Sequence, residues 1–246
     1  MDRLIYTVAS GAKHVLEQQA TTSNNLANLN TTGFRAQLDT FRAVPVQGEG
    51  LPTRTFVVNN TVGADFSSGP LQMTGRDLDV AIKGPGWIAV QNADGTESYT
   101  RNGALQASPN GVLTTPSGQT IMGEGGPITI PPDVTVTVGG DGTISTISNV
   151  ERPAAPVILG RLKLVNPDQN SLTRGDDGLF RMKDGSSAPA DPAVRVAGGA
   201  LEGSNVNAVD AMVSMIGLAR SFETQMSLMK NAENNAAKAS QILALN

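Results

Sequence analysis

Few residues in this chain have the type and spacing to do chemistry. Its single histidine, His14, lies in a helical stretch at the amino end, so a histidine-rich metal site is excluded. The expectation for His14 is packing or a hydrogen bond at a helix contact. Cysteine is absent, which removes disulfides, thiol catalysis and cysteine-based zinc sites. Asp77 and Asp79 stand two apart, a spacing that places both carboxylates on one face of a strand, and a carboxylate pair can hydrolyse glycosidic bonds. Exposed acidic residues are common, however, and no partner geometry can be read from the spacing. Gly123-Glu124-Gly125-Gly126-Pro127 has the glycine content of a phosphate loop but lacks the trailing Lys-Ser/Thr and the helix behind it, so a turn is expected. Asp176-Asp177-Gly178 lacks the remaining ligands of a twelve-residue calcium loop. Trp87 could line a carbohydrate site, although a lone tryptophan in a β-domain is expected to be core. The reading is of a non-enzymatic chain with no catalytic residue, no metal and no cofactor.

The elements that would position any site are unusual in their order. Ile5, Val8, Ala12, Val15, Gln19, Thr22, Leu26 and Leu29 recur at alternating steps of three and four, the a/d spacing of a coiled-coil seam. They predict a helix over 4–30, roughly 40 Å long, with Asp2 as a start cap and Gly33 as a stop. Met215, Leu218, Phe222, Gln225, Met229, Ala232, Ala236, Ala239 and Leu243 follow the same rule and predict a second helix over 206–245. Ser204 or Asn205 is a candidate cap for it, and Asp210 sits near its positive end. Away from both stripes the helices carry few charges and many Asn, Gln, Ser and Thr residues, whereas a solvated helix normally carries Lys and Glu in i,i+4 pairs. Such helices suit coverage on several sides by neighbours, with Ala232, Ala236, Ala237 and Ala239 permitting close approach. An uncovered seam has little to stabilise it, so the termini are expected to be partly disordered in a dilute monomer.

Between the helices the pattern changes. Over 36–80 Pro45, Gly48, Gly50, Pro52, Gly63, Gly69 and Pro70 interrupt short apolar pairs, predicting extended segments and a few short strands. Trp87–Val90 and Glu97–Thr100 flank Asp94-Gly95, a hairpin signal. Asn110-Gly111, Ser117-Gly118 and Asp141-Gly142 repeat such turns, and Val134–Val138 alternates with period two. Further strands are expected over 160–165, 179–182 and 194–196. The fold class is therefore α+β: paired long terminal helices, coiled-coil-like, plus a central antiparallel β-domain. The predicted organisation is 1–35 with 203–246 as a terminal helical domain, 36–80 as an extended stalk, and 81–202 as a β-rich outer domain.

Composition narrows the function classes. Charged residues make up 16% of the 246 and the net charge is −4, leaving no electrostatic case for nucleic acid. No run of about 18 apolar residues exists to span a membrane. Met1-Asp2-Arg3-Leu4-Ile5 lacks the basic and apolar regions of a cleavable signal, so leaving the cytoplasm would need another route.

Ser23-Asn24-Asn25-Leu26-Ala27-Asn28-Leu29-Asn30-Thr31-Thr32-Gly33-Phe34-Arg35 resembles the amino-terminal signature of bacterial flagellar rod and hook proteins, an Asn-x-Ala-Asn motif followed by Thr-x-Gly-Phe-Lys/Arg. Its signature positions here are Asn25, Ala27, Asn28, Thr32, Gly33 and Phe34. Leu201-Glu202-Gly203-Ser204-Asn205-Val206 resembles the opening of that family's carboxy-terminal helix, through Glu202, Ser204 and Asn205. Arg220-Ser221-Phe222-Glu223 falls where the family has Arg-x-aromatic-Glu. Thr74–Ile82 and Tyr99-Thr100-Arg101-Asn102-Gly103 also match. Met1–Tyr6, Arg42–Val46, Gly160–Val165 and Asp176–Arg181 are similar to the proximal-rod branch, and Ala219 stands where distal rod and hook proteins usually have Gln. The resemblance implies a structural subunit of the proximal rod, polymerising through its terminal helices into drive shaft and export channel. Ile5, Val8, Ala12, Val15, Thr22, Leu26, Leu29, Met215, Leu218, Phe222, Met229, Ala236 and Leu243 would then be subunit-packing positions. It further implies other rod subunits and copies of itself as partners, passage through the flagellar type III export apparatus, and assembly in the periplasm. A distal rod subunit, a rod-associated carbohydrate-binding module and a peptidoglycan hydrolase are the competing readings.

Overall fold

A computed structural model describes residues 2–45, 55–149 and 155–243. It has an amino-terminal helix, a central antiparallel β-body and a carboxy-terminal helix, and it divides into two compact units. One comprises 1–28, 36–65 and 206–246, and the other 29–35 and 66–205. Both units are thus assembled from segments distant in sequence.

In the helical unit, α1 (Asp2–Ala27) and α2 (Ala208–Leu243) pack against one another. Gly11 makes room for this contact: a Cβ there would stand 3.0 Å from the Gln225 side-chain oxygen. Where the glycine and proline spacing of 36–80 predicted extended segments and a few short strands, the chain forms a long antiparallel hairpin of β1 (Gln37–Pro45) and β2 (Thr55–Ala64). A bulge between Thr40 and Phe41 breaks its register, and with it the period-two pattern that marks a strand in sequence. Val46, Gly48, Gly50 and Pro52 lie outside the described residues. Helix α1 stops three residues short of its predicted end at residue 30. Asn28 N–H reaches the carbonyls of both Asn24 and Asn25, a tightening usual in a last turn. Leu29 therefore lies beyond the helix, in the β-unit. At the other terminus the cap is Asn207, whose Oδ1 accepts from Val209 N–H at 3.0 Å, rather than Ser204 or Asn205.

The β-unit holds nearly all of the buried apolar core. Its strands β3 (Leu71–Met73), β4 (Val80–Lys83), β5 (Trp87–Gln91) and β6 (Glu97–Thr100) lead into a nine-stranded antiparallel sheet, a three-stranded sheet and two strand pairs. The Asp94-Gly95 turn joins β5 to β6 as its sequence predicts, with Ala89 facing Tyr99 and Gly95 at φ +84°. Val80, Ile82, Ile88, Val90, Leu113, Ile121, Ile144 and Leu162 form the centre of one cluster. Both faces of β5 are buried, so it is a central strand. Strand β4 pairs with Arg195–Gly198 and β3 with Ala200–Glu202, bringing the segment that precedes α2 into the body.

Candidate functional site: a buried charge junction

None of the catalytic spacings assembles a site. Residues 77 and 78 form a turn, so Asp77 is exposed while Asp79 is fully buried and accepts from Thr74 Oγ1 at 2.6 Å. The two carboxylates do not share a strand face. Gly123–Pro127 is the hairpin between paired strands, with Gly123 opposite Gly126. Asp177 caps a turn and pairs with Arg181. Trp87 is core, packed on Phe66 and Phe180. His14 Nδ1 lies 3.0 Å from Glu17 and its ring meets the Phe41 ring edge-on. Among the described residues no group of three or more His, Asp or Glu is placed to hold a metal.

What the β-unit does build is a junction between three segments: 32–35, 99–103 and 199–205. Glu202 sits at its centre, fully buried, with Arg35 Nη2 at 2.8 Å on one carboxylate oxygen and Arg101 Nη1 at 2.9 Å on the other. Gly69 N–H donates to the first oxygen at 2.9 Å. Arg101 also donates through Nη2 to the Gly84 carbonyl at 2.7 Å and lies over the Trp87 ring. Burial lowers the Arg101 guanidinium from its usual range, with neighbouring Arg35 acting in the same direction and Glu202 opposing. Arg174 completes the cluster. It caps the Arg35 carbonyl at 3.0 Å and stacks 4.6 Å over the Phe34 ring, and burial lowers its guanidinium too. Two buried cations on one carboxylate stay folded only because each is paired; removing a partner strands a charge in a poorly solvating interior.

The backbone around this triad is too close for side chains. Gly33 has φ +69°, and a Cβ on it would stand 2.3 Å from the Arg101 carbonyl carbon. Its N–H donates to the Glu202 carbonyl at 2.7 Å. Gly33 thus permits close approach and does not stop α1. A Cβ on Gly69 would stand 2.1 Å from the Gly203 carbonyl oxygen. Asn205 ties the same ends, its N–H to the Phe34 carbonyl and its Nδ2 to Ser67.

The signature positions therefore divide. Thr32, Gly33, Phe34, Glu202, Ser204 and Asn205 gather in the β-unit, with Phe34 and Ser204 buried and Thr32 half-buried. Asn25, Ala27, Asn28 and Arg220 belong to the helical unit. Asn25 holds both polar backbone atoms of Gln37, donating to its carbonyl at 2.9 Å and accepting from its N–H at 2.7 Å, and so fixes where β1 begins. Ala27 and Arg220 are exposed and Asn28 is half-buried. Arg35 and Arg101 were part of the resemblance, but spacing alone did not mark them as partners of Glu202.

Of the stripe positions, Ala12 and Val15 are buried. Ile5, Val8, Thr22, Leu26, Leu29, Met215, Leu218, Phe222 and Met229 are half-buried. Ala236 and Leu243 lie in α2, but their side chains are outside the described residues. Ala12 and Val15 are the only buried side chains of the helical unit among its described residues.

A helix from each end of the chain, a β-body between them and signature residues clamped around one carboxylate define an α+β protein built on paired sequence ends, and known proteins share it. Three profiles of one protein family match in chain order. They are the flagella basal body rod protein over 5–35, the flagellar hook protein FlgE/F/G D1 domain over 81–146, and the flagellar basal body rod FlgEFG protein C-terminal region over 197–242. The chain belongs to the flagellar basal-body rod protein family. It is 48% identical to the flagellar basal-body rod protein FlgF of Escherichia coli and 48% identical to that of Salmonella typhimurium, covering the whole of both chains in each case. Identity to the flagellar basal-body rod protein FlgG of Buchnera aphidicola from Schizaphis graminum is 32%, over 89% of this chain and 92% of the relative.

Proposed function

We propose that this protein is a structural subunit of the bacterial flagellar basal-body rod, in the position taken by FlgF, and that it has no catalytic role. The observation that carries the reading is the helical unit. It has two apolar stripes of more than three heptads and buries only Ala12 and Val15 among its described side chains. A unit with so little core of its own is stabilised by burying surface against other subunits, and each Leu, Met or Phe so covered contributes about 1.5–3 kcal/mol. In this reading α1 and α2 meet each other and their neighbours along coiled-coil seams to form the inner wall of a tube, and the β-unit forms an outer layer. The subunit reaches the periplasm through the flagellar export apparatus and assembles there with other rod proteins. Among the described residues no helix is long and apolar enough to cross a membrane. Deleting the gene and imaging basal bodies by electron microscopy tests this: rods should be missing or truncated and the cells non-motile. Motile cells with intact rods would refute it.

A further inference from the structure

Each terminal helix contains one glycine, Gly11 in α1 and Gly217 in α2. Glycine inside a helix is unfavourable relative to alanine, so each position needs a packing reason. The two positions differ. Nothing lies within 4 Å of where a Cβ on Gly217 would stand, whereas a Cβ on Gly11 would meet the whole Gln225 amide, with Oε1 at 3.0 Å and Cδ and Nε2 both at 3.3 Å. The amide therefore lies face-on against bare α1 backbone. Its Oε1 is buried there and has no hydrogen-bond partner. Two unfavourable choices, a glycine within a helix and a buried unpaired amide oxygen, thus meet at one point of the seam.

The rest of the seam does little to align the helices. They run antiparallel: Gly11 opposes Gln225, while further along α1 Thr21 and Thr22 share a groove with Ser214 and Gly217. The stripe on each helix repeats every seven residues. Sliding one helix past the other by a heptad, about 10 Å, therefore sets stripe on stripe again. The side chains buried in the helical unit among its described residues, Ala12 and Val15, are small and penalise such a slip weakly. Gly11 breaks the degeneracy. It is the only glycine of α1, so any slip presses the Gln225 amide onto a side chain. A polar residue at one seam position is a known means of specifying register between paired helices at a cost in stability.

We propose that Gly11 and Gln225 lock the register of the α1–α2 pair, excluding the alignments one heptad away and lowering the stability of the pair in doing so. The lock decides which residues of α1 and α2 stand side by side on the surface of the helical unit. It acts within one chain and does not depend on the rod-subunit reading.

Because the chain has no cysteine, two introduced thiols can carry spin labels that read the alignment in the full-length protein. Lys13→Cys and Val209→Cys place them at exposed positions on α1 and α2, well apart along the pair. Double electron–electron resonance on this labelled chain should give one narrow distance. Gln225→Leu removes the amide and suits an apolar seam; it should add a second distance differing by up to about 10 Å, with the helical circular dichroism signal at least as resistant to urea. Gly11→Leu, which covers the bare backbone with a good helix former, should likewise add a second distance. Gly217→Ala, at a helix glycine outside the contact, should leave the single distance unchanged. One unchanged distance in either Gln225→Leu or Gly11→Leu would overturn the proposal, because the stripes alone would then fix the alignment. So would a broad distribution in the otherwise native labelled chain, or a second distance in Gly217→Ala. Loss of helical signal in Gln225→Leu would also overturn it, because the contact would then be a source of stability rather than of register.

Discussion

Replacing Glu202 with Gln keeps the shape of the side chain and takes away the one negative charge between two buried guanidinium groups. In the native chain Arg35 and Arg101 approach its two oxygens at 2.8 and 2.9 Å, with all three side chains almost completely shielded from water. Two unit charges at 4 Å interact by about 4 kcal/mol at an effective dielectric constant of 20, and breaking a buried pair from one side typically costs about 3–5 kcal/mol. Arg35 has little to fall back on, because none of its three guanidinium nitrogens has a hydrogen-bond partner and Nη2 meets Glu202 as an ion pair alone. The expected loss is therefore about 3–5 kcal/mol, a third or more of the total stability of a typical domain. The assay is urea unfolding followed by fluorescence of Trp87, the only tryptophan, which lies beside Arg101. With a slope of about 2 kcal/mol/M the midpoint should fall by about 2 M. The triple variant Arg35→Met, Glu202→Leu, Arg101→Met should regain most of that loss, because no charge is left unpaired. A Glu202→Gln midpoint within about 0.5 M of wild type would refute the argument, since the triad would then be solvated or dispensable.

Leu26→Asp and Phe222→Asp each put a charge on a half-buried stripe position, at a cost of several kcal/mol once that position is covered. Both variants should fail to complement a deletion strain in swarming assays while their β-unit circular dichroism stays native; wild-type swarming would show that the stripes are not assembly surfaces. Hydrogen exchange on the monomer should find α1 and α2 opening well before the strands around Ile88 and Val90, because only Ala12 and Val15 are buried in the helical unit among its described residues; equal protection would count against it. Asp94, Asp141 and Asp184 are held below the usual carboxylate range by hydrogen bonds from Thr96, Thr143 and Ser186 respectively. A carboxyl whose folded-state value is depressed stabilises the fold above its unfolded value of about 4 and loses that contribution as pH falls through the folded value. The urea midpoint should therefore be level from about pH 5 to 7 and decline below about pH 4, with Asp141→Asn showing a shallower decline.

Both helices and their stripes were legible in the sequence because helical periodicity is a local property. Met215, Leu218, Phe222 and Met229 repeat at the spacing of the helix they form, and Met215, Phe222 and Met229 are less exposed than the positions flanking them in α2. The Asp94-Gly95 hairpin was legible for the same reason, since its turn chemistry is contained in adjacent residues. The β1–β2 hairpin was not, because a bulge at Thr40/Phe41 breaks the alternation and pairing with a distant strand supplies what the local pattern lacks. The same limit applies to the role of Gly33. In sequence it has the look of a helix stop, yet the reason for glycine is the backbone of Arg101 lying where a Cβ would go. The triad shows it most plainly. Nothing in the one-dimensional spacing of Arg35, Arg101 and Glu202 indicates that three charges will be buried together, because burial is conferred by segments that meet only when the chain closes: Ala200–Glu202 on β3, and Gly33 and Phe34 on the backbone of Glu202 and Asn205. The sequence alone determined which segments are helical, where the Asp94-Gly95 hairpin turns and which residues carry the family signature. The tertiary structure alone decided that those signature residues clamp the ends of the β-unit around one carboxylate, since a buried ion pair is a property of the solvent its neighbours exclude.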